Sequence, residues 1–258
     1  MKDPVGTEKV VHGQRWGAVH NGYFSDPAIA RPLIKAVTDV LAESPADVIA
    51  DLGGGTGFML SQLAQDEIGS AQLVNIDCSD AQLALVNQTN ISLVRSSIDE
   101  FRRTGVATRN QRLLLMMRSV LHYFGESGLQ PLLRHLRSQM EPGEFFVHQS
   151  AVFDNEEDAV CLNTLYQQMR TQKWYLSTAE MGNRLADSGW RVIDSVAAPV
   201  LLLDSVDLGL RYALDADDLA RIRNGMIEKF GETNRVFQLT SSGFCASLHY
   251  RIFTCAAS

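Results

Sequence analysis

Between residues 48 and 57 an apolar run ends in an acid and passes at once into glycine: Val48-Ile49-Ala50-Asp51-Leu52-Gly53-Gly54-Gly55-Thr56-Gly57. A short apolar run bounded by Pro45 and a glycine cluster reads as a strand buried on both faces, the kind a parallel sheet needs. Beyond it Phe58, Leu60, Leu63 and Ala64 recur at helical spacing, so the glycines occupy a strand-to-helix turn. Glycine tolerates positive φ and has no Cβ, which lets the backbone pass close beneath a ligand. The helix that follows offers free N–H groups and the positive end of its dipole to an anionic group.

The same alternation runs on through the chain. Ser25-Asp26-Pro27 is a helix-start signal for an amphipathic stretch from Ala28 to Leu41. Strands are expected at Gln72–Ile76, Ile91–Val94, Arg112–Met117 and Glu144–His148, with helices at Asp80–Gln88, Ile98–Arg103 and Leu129–Met140 between them. Parallel neighbours need crossover connections, so this order predicts a doubly wound α/β fold with a mostly parallel sheet and helices on both faces. From Ala151 the rhythm changes. Asp154–Thr171 is helical and extra to a minimal crossover, Ser177-Thr178-Ala179-Glu180 is a capping box opening a helix to Asp187, and Gly189 ends that helix. Trp190–Val196 and Cys245–Thr254 then make a sixth and a seventh strand, and Asp215–Phe230 is a charged amphipathic helix suited to a lid or to a homodimer contact. The expected organisation is one domain over 1–258. Residues 1–44 form a helical lead-in or lid, 45–150 the core, 151–176 a cap-like insertion, and 177–258 the C-terminal half of the sheet with a helical insertion near 206–242.

Composition narrows the partners. The 258 residues are 45% hydrophobic and 21% charged, ample for a sizeable core, and the formal net charge is −7. That balance provides no global basic field to gather phosphates and argues against sequence-independent nucleic-acid binding. Cys78, Cys161, Cys245 and Cys255 stand apart with no C-x-x-C pair, which indicates neither a zinc site nor a disulfide framework and fits reduced thiols in the cytoplasm. Met1–Glu8 carries charges and a proline where a signal peptide needs an apolar run. The longest apolar stretches, such as Leu113–Met117 and Val196–Leu203, fall far short of the roughly 20 residues that span a bilayer. The expectation is a soluble cytoplasmic protein with no membrane or nucleic-acid partner, acting on a small molecule.

The glycine spacing separates two cofactor classes. A dinucleotide fingerprint, G-x-G-x-x-G, started at Gly53 would place its third glycine on Phe58. An acid, one residue, then Gly-x-Gly-x-Gly instead resembles the first motif of the class I S-adenosylmethionine (SAM) methyltransferase family. Asp77 follows Leu73-Val74-Asn75-Ile76, twenty positions beyond Gly57, where that family has an acid on the ribose hydroxyls. Arg118-Ser119-Val120-Leu121-His122-Tyr123-Phe124 is similar to its loop after the fourth strand, and Leu176–Gly189-Trp190-Arg191-Val192 to its entry into the sixth. The resemblance covers about residues 28–200 and implies a SAM site made by Asp51, Gly53, Gly54, Gly55, Thr56, Gly57, Asp77, Cys78, Ser97, Ile98, Arg118 and Ser119. Tyr23 would join from the lead-in, with Trp16 and Phe24 as companions. Within that set Asp51 would meet the methionine ammonium, and Thr56, Arg31 or Arg15 its carboxylate. Ser97 stands where the family has an acid on the adenine amino group, and Asp99 is the substitute two places on.

Methyl transfer is an in-line displacement from a sulfonium, so the enzyme supplies mostly alignment and desolvation. A base is needed only where the acceptor must lose a proton early. His122, after the fourth strand, and His148, at the end of the fifth, are the candidates, because ligands of open α/β sheets bind outside those strand ends. Gln149, Tyr166, Trp174 and Tyr175 are candidates to line an acceptor pocket. No metal signature is present, and neither an Asn/Asp-Pro-Pro-Tyr/Phe segment nor a Pro-Cys nucleophile follows the fourth strand. The resemblance therefore implies transfer of a methyl group to an O-, N- or C-nucleophile of a small molecule. Two alternatives remain open: an NAD(P)-dependent oxidoreductase, weakened by the absence of any Tyr-x-x-x-Lys pair, and a non-catalytic methyltransferase-like binding module, to which the departure at Ser97 gives weight.

Overall fold

Strand residues alternate strictly between two hydrophobic layers, and that alternation organises the molecule. In the computed structural model, which describes residues 22–66 and 68–258, β1 (Val48–Leu52) directs Val48, Ala50 and Leu52 to one face and Ile49 to the other. The parallel neighbours β2 (Gln72–Asp77), β3 (Ile91–Arg95), β4 (Leu113–Arg118) and β5 (Phe145–Phe153) extend the sheet. On the first face Leu129, Leu132, Leu133 and Leu136 of a helix at Gly125–Ser138 pack with Met181 and Leu185 of another at Thr178–Ala186. On the second, Ala30, Leu33, Ile34 and Val37 of α1 (Pro27–Glu43) pack with Met59, Leu60 and Leu63 of α2 (Phe58–Leu63). Burial on both faces is why these strands read as continuous apolar runs.

Numbered in chain order, the remaining helices are α3 (Asp80–Leu83), α4 (Gly125–Ser138), α5 (Glu156–Gln168), α6 (Thr178–Ala186), α7 (Ser205–Tyr212) and α8 (Ala216–Phe230). The strands add β6 (Leu176–Ser177), β7 (Trp190–Asp204), β8 (Phe237–Thr240) and β9 (Gly243–Ala257). The sheet order is β3-β2-β1-β4-β5-β9-β7, with β9 antiparallel to both neighbours, β6 added to the far end of β5 and β8 to the start of β9. The sheet thus has nine strands where seven were expected. The two additions are short, and sequence periodicity cannot register a two-residue strand.

The larger departure is in length. β5 runs on to Phe153, β7 to Asp204, and β9 starts at Gly243. These extensions carry one antiparallel ladder, Ala198↔Tyr250 to Asp204↔Cys245, beyond the carboxyl edge of the parallel strands. Pro199 does not stop β7, because β7 is the outermost strand and its register shifts between Ala198 and Leu201. Over this ladder a third hydrophobic cluster forms from Phe153, Leu162, Leu165, Tyr166, Leu203, Ile222, Met226, Phe237, Phe244 and Leu248. The helix expected over Asp215–Phe230 buries Ile222 and Met226 there. The helix expected over Asp80–Gln88 is one turn, α3, capped by the Ser79 hydroxyl. No helix among the described residues is long and apolar enough to cross a membrane.

One buried ion pair fastens the loop after β3 to the starts of β4 and β5. The Arg103 guanidinium donates to both carboxylate oxygens of Glu144 at 2.6 and 2.8 Å, and those oxygens also accept the Leu113 and Glu141 backbone N–H groups. Removing one partner of such a pair leaves an uncompensated buried charge. Glu144→Ala is expected to lower unfolding free energy by about 3–5 kcal/mol in urea titrations, whereas a double replacement of Arg103 and Glu144 by apolar residues is expected to recover most of that loss.

Candidate functional site

The glycine turn lies at the carboxyl ends of β1, β2 and β4 and forms the floor of a cavity. Gly53 and Gly55 adopt φ of +73° and +56°, and the Gly53 and Gly54 N–H groups bond the Ile76 carbonyl. At Gly54 an added Cβ would come within 2.0 Å of Asn75 Oδ1 and 2.6 Å of Asp51 Oδ2, so no other residue fits. Asn75, opposite Asp51 in the β1–β2 register, donates to the Gly55 carbonyl at 2.9 Å and holds the turn from below. Reading for charge missed Asn75; its signal was a polar residue inside an otherwise apolar strand.

Asp51 has no solvent exposure, and neither carboxylate oxygen has a hydrogen-bond partner among the described residues. Burial, reinforced by repulsion from Asp77 and opposed by Arg118, pushes its pKa up to about 7. Asp77 Oδ2 accepts the Gly55 N–H at 3.0 Å and Oδ1 the Ser79 N–H at 2.8 Å, placing this second carboxylate on the same wall. Around the pair the cavity is lined by Gly53, Gly54, Gly55, Thr56, Cys78, Ser97, Ile98, Arg118 and Ser119, all expected from sequence. It is also lined by Phe24, Phe58, Met59, Ser96, Tyr123 and Phe124. Ser97 bonds the Asp99 carboxylate, and Asp99 itself is exposed and off the cavity wall.

Arg118 joins the lead-in to the site. Its guanidinium donates to the carbonyls of Tyr23 and Phe24 at 3.0 and 3.3 Å and lies 5.5 and 5.3 Å from their ring centroids. Phe24 thereby reaches the cavity, while Tyr23 turns away from it: its hydroxyl donates to the Pro199 carbonyl at 2.5 Å and accepts from Gln149. Two other expected contacts also fall elsewhere. Gly57, at φ +73°, lies under Val86 as the turn into α2, and Arg31 pairs with Asp66 on the surface. Arg15 and Trp16 lie outside the described residues.

A second cavity of about 10 Å³, room for little more than one water, adjoins the first and shares Phe24, Ser119 and Tyr123 with it; His122, Tyr166, Lys173, Leu201, Leu203, Arg211, Leu248 and Tyr250 complete its wall. Of the residues expected to line an acceptor pocket, Tyr166 is here. Tyr175 packs behind Tyr166 and His122, Gln149 is engaged with Tyr23, and Trp174 packs against the main core. His122 stacks on Tyr123 with ring centroids 4.2 Å apart. His148 lines neither space. Its side chain leaves the sheet between Phe146 and Phe253, centroids 4.6 and 5.1 Å away, with Nδ1 2.7 Å from the Ser150 hydroxyl. The expectation of a base at His148 is not met: burial drives its pKa down to about 3, and it lines neither cavity. It lies within the strand rather than at its end, because β5 runs on to Phe153, and alternation turns its side chain into the core. Among the described residues no group of acids, histidines and cysteines could hold a metal ion.

A histidine neutral when folded and protonated when unfolded removes stability as pH falls through about 6.5 toward 3. His148→Phe is expected to reduce the loss of unfolding free energy between pH 7 and 5 by about 2 kcal/mol and to leave ligand affinity of the cavity unchanged, as read by denaturant melts and calorimetry.

No family model and no curated protein sequence matches the chain. Solved structures do. A protein of Bacillus halodurans C-125 named as a candidate methyltransferase aligns with a TM-score of 0.65 at 9% identity, over 86% of this chain and 97% of that one. The 1,6-didemethyltoxoflavin-N1-methyltransferase of Burkholderia thailandensis, solved with 1,6-didemethyltoxoflavin and S-adenosylhomocysteine (SAH), aligns at 0.57 and 15% identity over 100% and 92% of the two chains. The magnesium protoporphyrin IX methyltransferase of Synechocystis PCC 6803, solved with SAH, aligns at 0.53 and 12% identity over 89% and 83%. With the strand order and glycine turn above, these alignments show that the chain has the Rossmann-like fold of such methyltransferases.

Proposed function

We propose that the cavity binds SAM and that the protein transfers its methyl group to a small-molecule acceptor held against the neighbouring chamber. The observation that carries this reading is the pair of unpartnered oxygens of Asp51, fully buried in the wall of a glycine-floored cavity. A desolvated carboxylate without a donor is costly unless a ligand supplies one. SAM brings an ammonium and a sulfonium to such a site. The pyrophosphate of a dinucleotide would instead bring negative charge to Asp51 and Asp77, which disfavours the oxidoreductase alternative.

The residues divide the work accordingly. Asp51 receives the ammonium, and Gly53, Gly54 and Gly55 let the methionine portion lie against backbone. Arg118, the arginine on the cavity wall, offers its charge to the carboxylate in place of Arg31. Asp77 meets the ribose, with Cys78, Ser97 and Ile98 around the adenine end, and Phe24 excludes water. Bound SAM supplies an electrophilic methyl group whose leaving group departs as a neutral thioether. The acceptor's proton then passes to solvent, or to His122 where the acceptor requires a base, since His122 lines the acceptor side.

Calorimetric titration is expected to show micromolar binding of SAH and SAM and none of NAD or NADP; binding of the dinucleotides alone overturns the assignment. Because ligand-free Asp51 protonates below about pH 7, SAH affinity is expected to fall up to tenfold per pH unit below that point, and Asp51→Asn is expected to flatten the profile and weaken binding at least tenfold. The same variant tests a linked effect. The folded-state pKa of Asp51 lies above its ordinary 3.8, so the group costs stability as pH rises from about 4 to 7. Asp51→Asn is expected to gain about 4 kcal/mol at pH 8 in denaturant melts.

A further inference from the structure

We propose that Tyr250 is a positioning residue for the donor site: its hydroxyl holds Ser119 in a left-handed backbone conformation on which the packing of the glycine turn depends. The inference rests on the SAM reading of that cavity. Ser119 is the first residue beyond β4 and is buried, yet its φ is +61°. A residue with a Cβ is disfavoured there by about tenfold, and such strain persists only where the surroundings over-determine it. Two contacts from separate strands do so. The Ser119 N–H donates to the Gln149 carbonyl of β5 at 2.8 Å, and the Ser119 hydroxyl lies 2.6 Å from the Tyr250 hydroxyl of β9. Tyr250 is itself only 2% exposed, so its hydroxyl needs this partner as much as Ser119 does.

The turn made at Ser119 decides where its neighbours go. Val120, the next residue, lies against the floor of the cavity: a Cβ placed on Gly53 would come within 2.9 Å of Val120 Cγ2 and 3.3 Å of Ile98 Cδ1. Val120, Ile98 and Ser119 all line that cavity. The glycine turn thus packs directly on the side chain that follows Ser119. Arg118, the residue before it, lines the same cavity. A change of φ at Ser119 swings Val120 relative to Arg118 and so moves one wall of the cavity against its floor. The hydroxyl that opposes this movement comes from a residue 131 positions away, on the long β7–β9 ladder rather than in the parallel core. The ring of Tyr250 stacks on Tyr23 with centroids 5.8 Å apart, so replacing Tyr250 by phenylalanine removes the hydrogen bond and leaves the stacked ring in place.

Calorimetric titration of the full chain with SAH tests this, with denaturant melts showing that each variant is folded at the temperature used. Tyr250→Phe is expected to weaken SAH binding about five- to tenfold. Ser119→Ala keeps the Cβ and loses the same hydrogen bond; it is expected to weaken binding by a similar factor, and the two substitutions together by no more than either alone. Glycine adopts positive φ without strain, so in a Ser119→Gly background Tyr250→Phe is expected to change SAH affinity by less than about twofold. A loss of general packing at Tyr250 would persist in that background. An affinity unchanged by Tyr250→Phe, additive losses from Tyr250→Phe and Ser119→Ala, or a Tyr250→Phe loss that survives in the Ser119→Gly background overturns the positioning role alone. Failure of the unaltered protein to bind SAH overturns the methyl-donor reading beneath it, so the two failures are distinct.

Discussion

An ionisable carboxylate buried without a partner is among the most expensive features a fold can carry, and here it stands near the carboxyl end of β1. Asp51 faces the cavity with both oxygens unsatisfied by any described residue. Its immediate neighbours are arranged around it. Asn75 props the turn, Gly54 leaves no room for a side chain that would fill the space, and Asp77 anchors the turn from the next strand. Arg118 supplies the nearest compensating charge while spending its hydrogen bonds on the lead-in.

The second organising element is the long β7–β9 ladder. Because it outruns the parallel strands, it supports a hydrophobic cluster beyond the sheet's carboxyl edge, on which α5, α7 and α8 settle. Tyr23 ties the start of the described chain to this ladder through Pro199 and stacks on Tyr250, so lead-in and cap are joined across the top of the cavity. The Ser119 and Tyr250 hydroxyls, 2.6 Å apart, link the end of β4 to the same ladder. The two cavities share a wall because these contacts bring Phe24, Ser119 and Tyr123 together.

Most of the wall of the first cavity was legible in the sequence because it is local. A strand, an acid and a glycine turn lie within ten residues, and Asp77 follows on the neighbouring strand. Where sequence reading failed, geometry at right angles to the chain was responsible. His148 was expected at a strand end, but β5 runs on past it to Phe153 and a period of two turns its ring between Phe146 and Phe253. Tyr23 and Phe24 are adjacent, and only their packing against Arg118 decides that Phe24 faces the cavity. Gly57 belongs to the motif yet lies under Val86 rather than on the cavity wall.

The second cavity shows the same division more sharply. Lys173, Arg211, Tyr123 and Tyr250 come from four separate segments, and no spacing in the chain relates them. The sequence by itself determined the alternation of strands and helices, the face of each apolar residue and the chemistry of the glycine turn, because these depend on short-range periodicity and on the conformational freedom of glycine. Tertiary structure alone decided which strands lengthen into the β7–β9 ladder, which histidine is sealed in the core, and which cations meet in the second chamber. Those outcomes are set by pairing and burial between residues far apart in the chain.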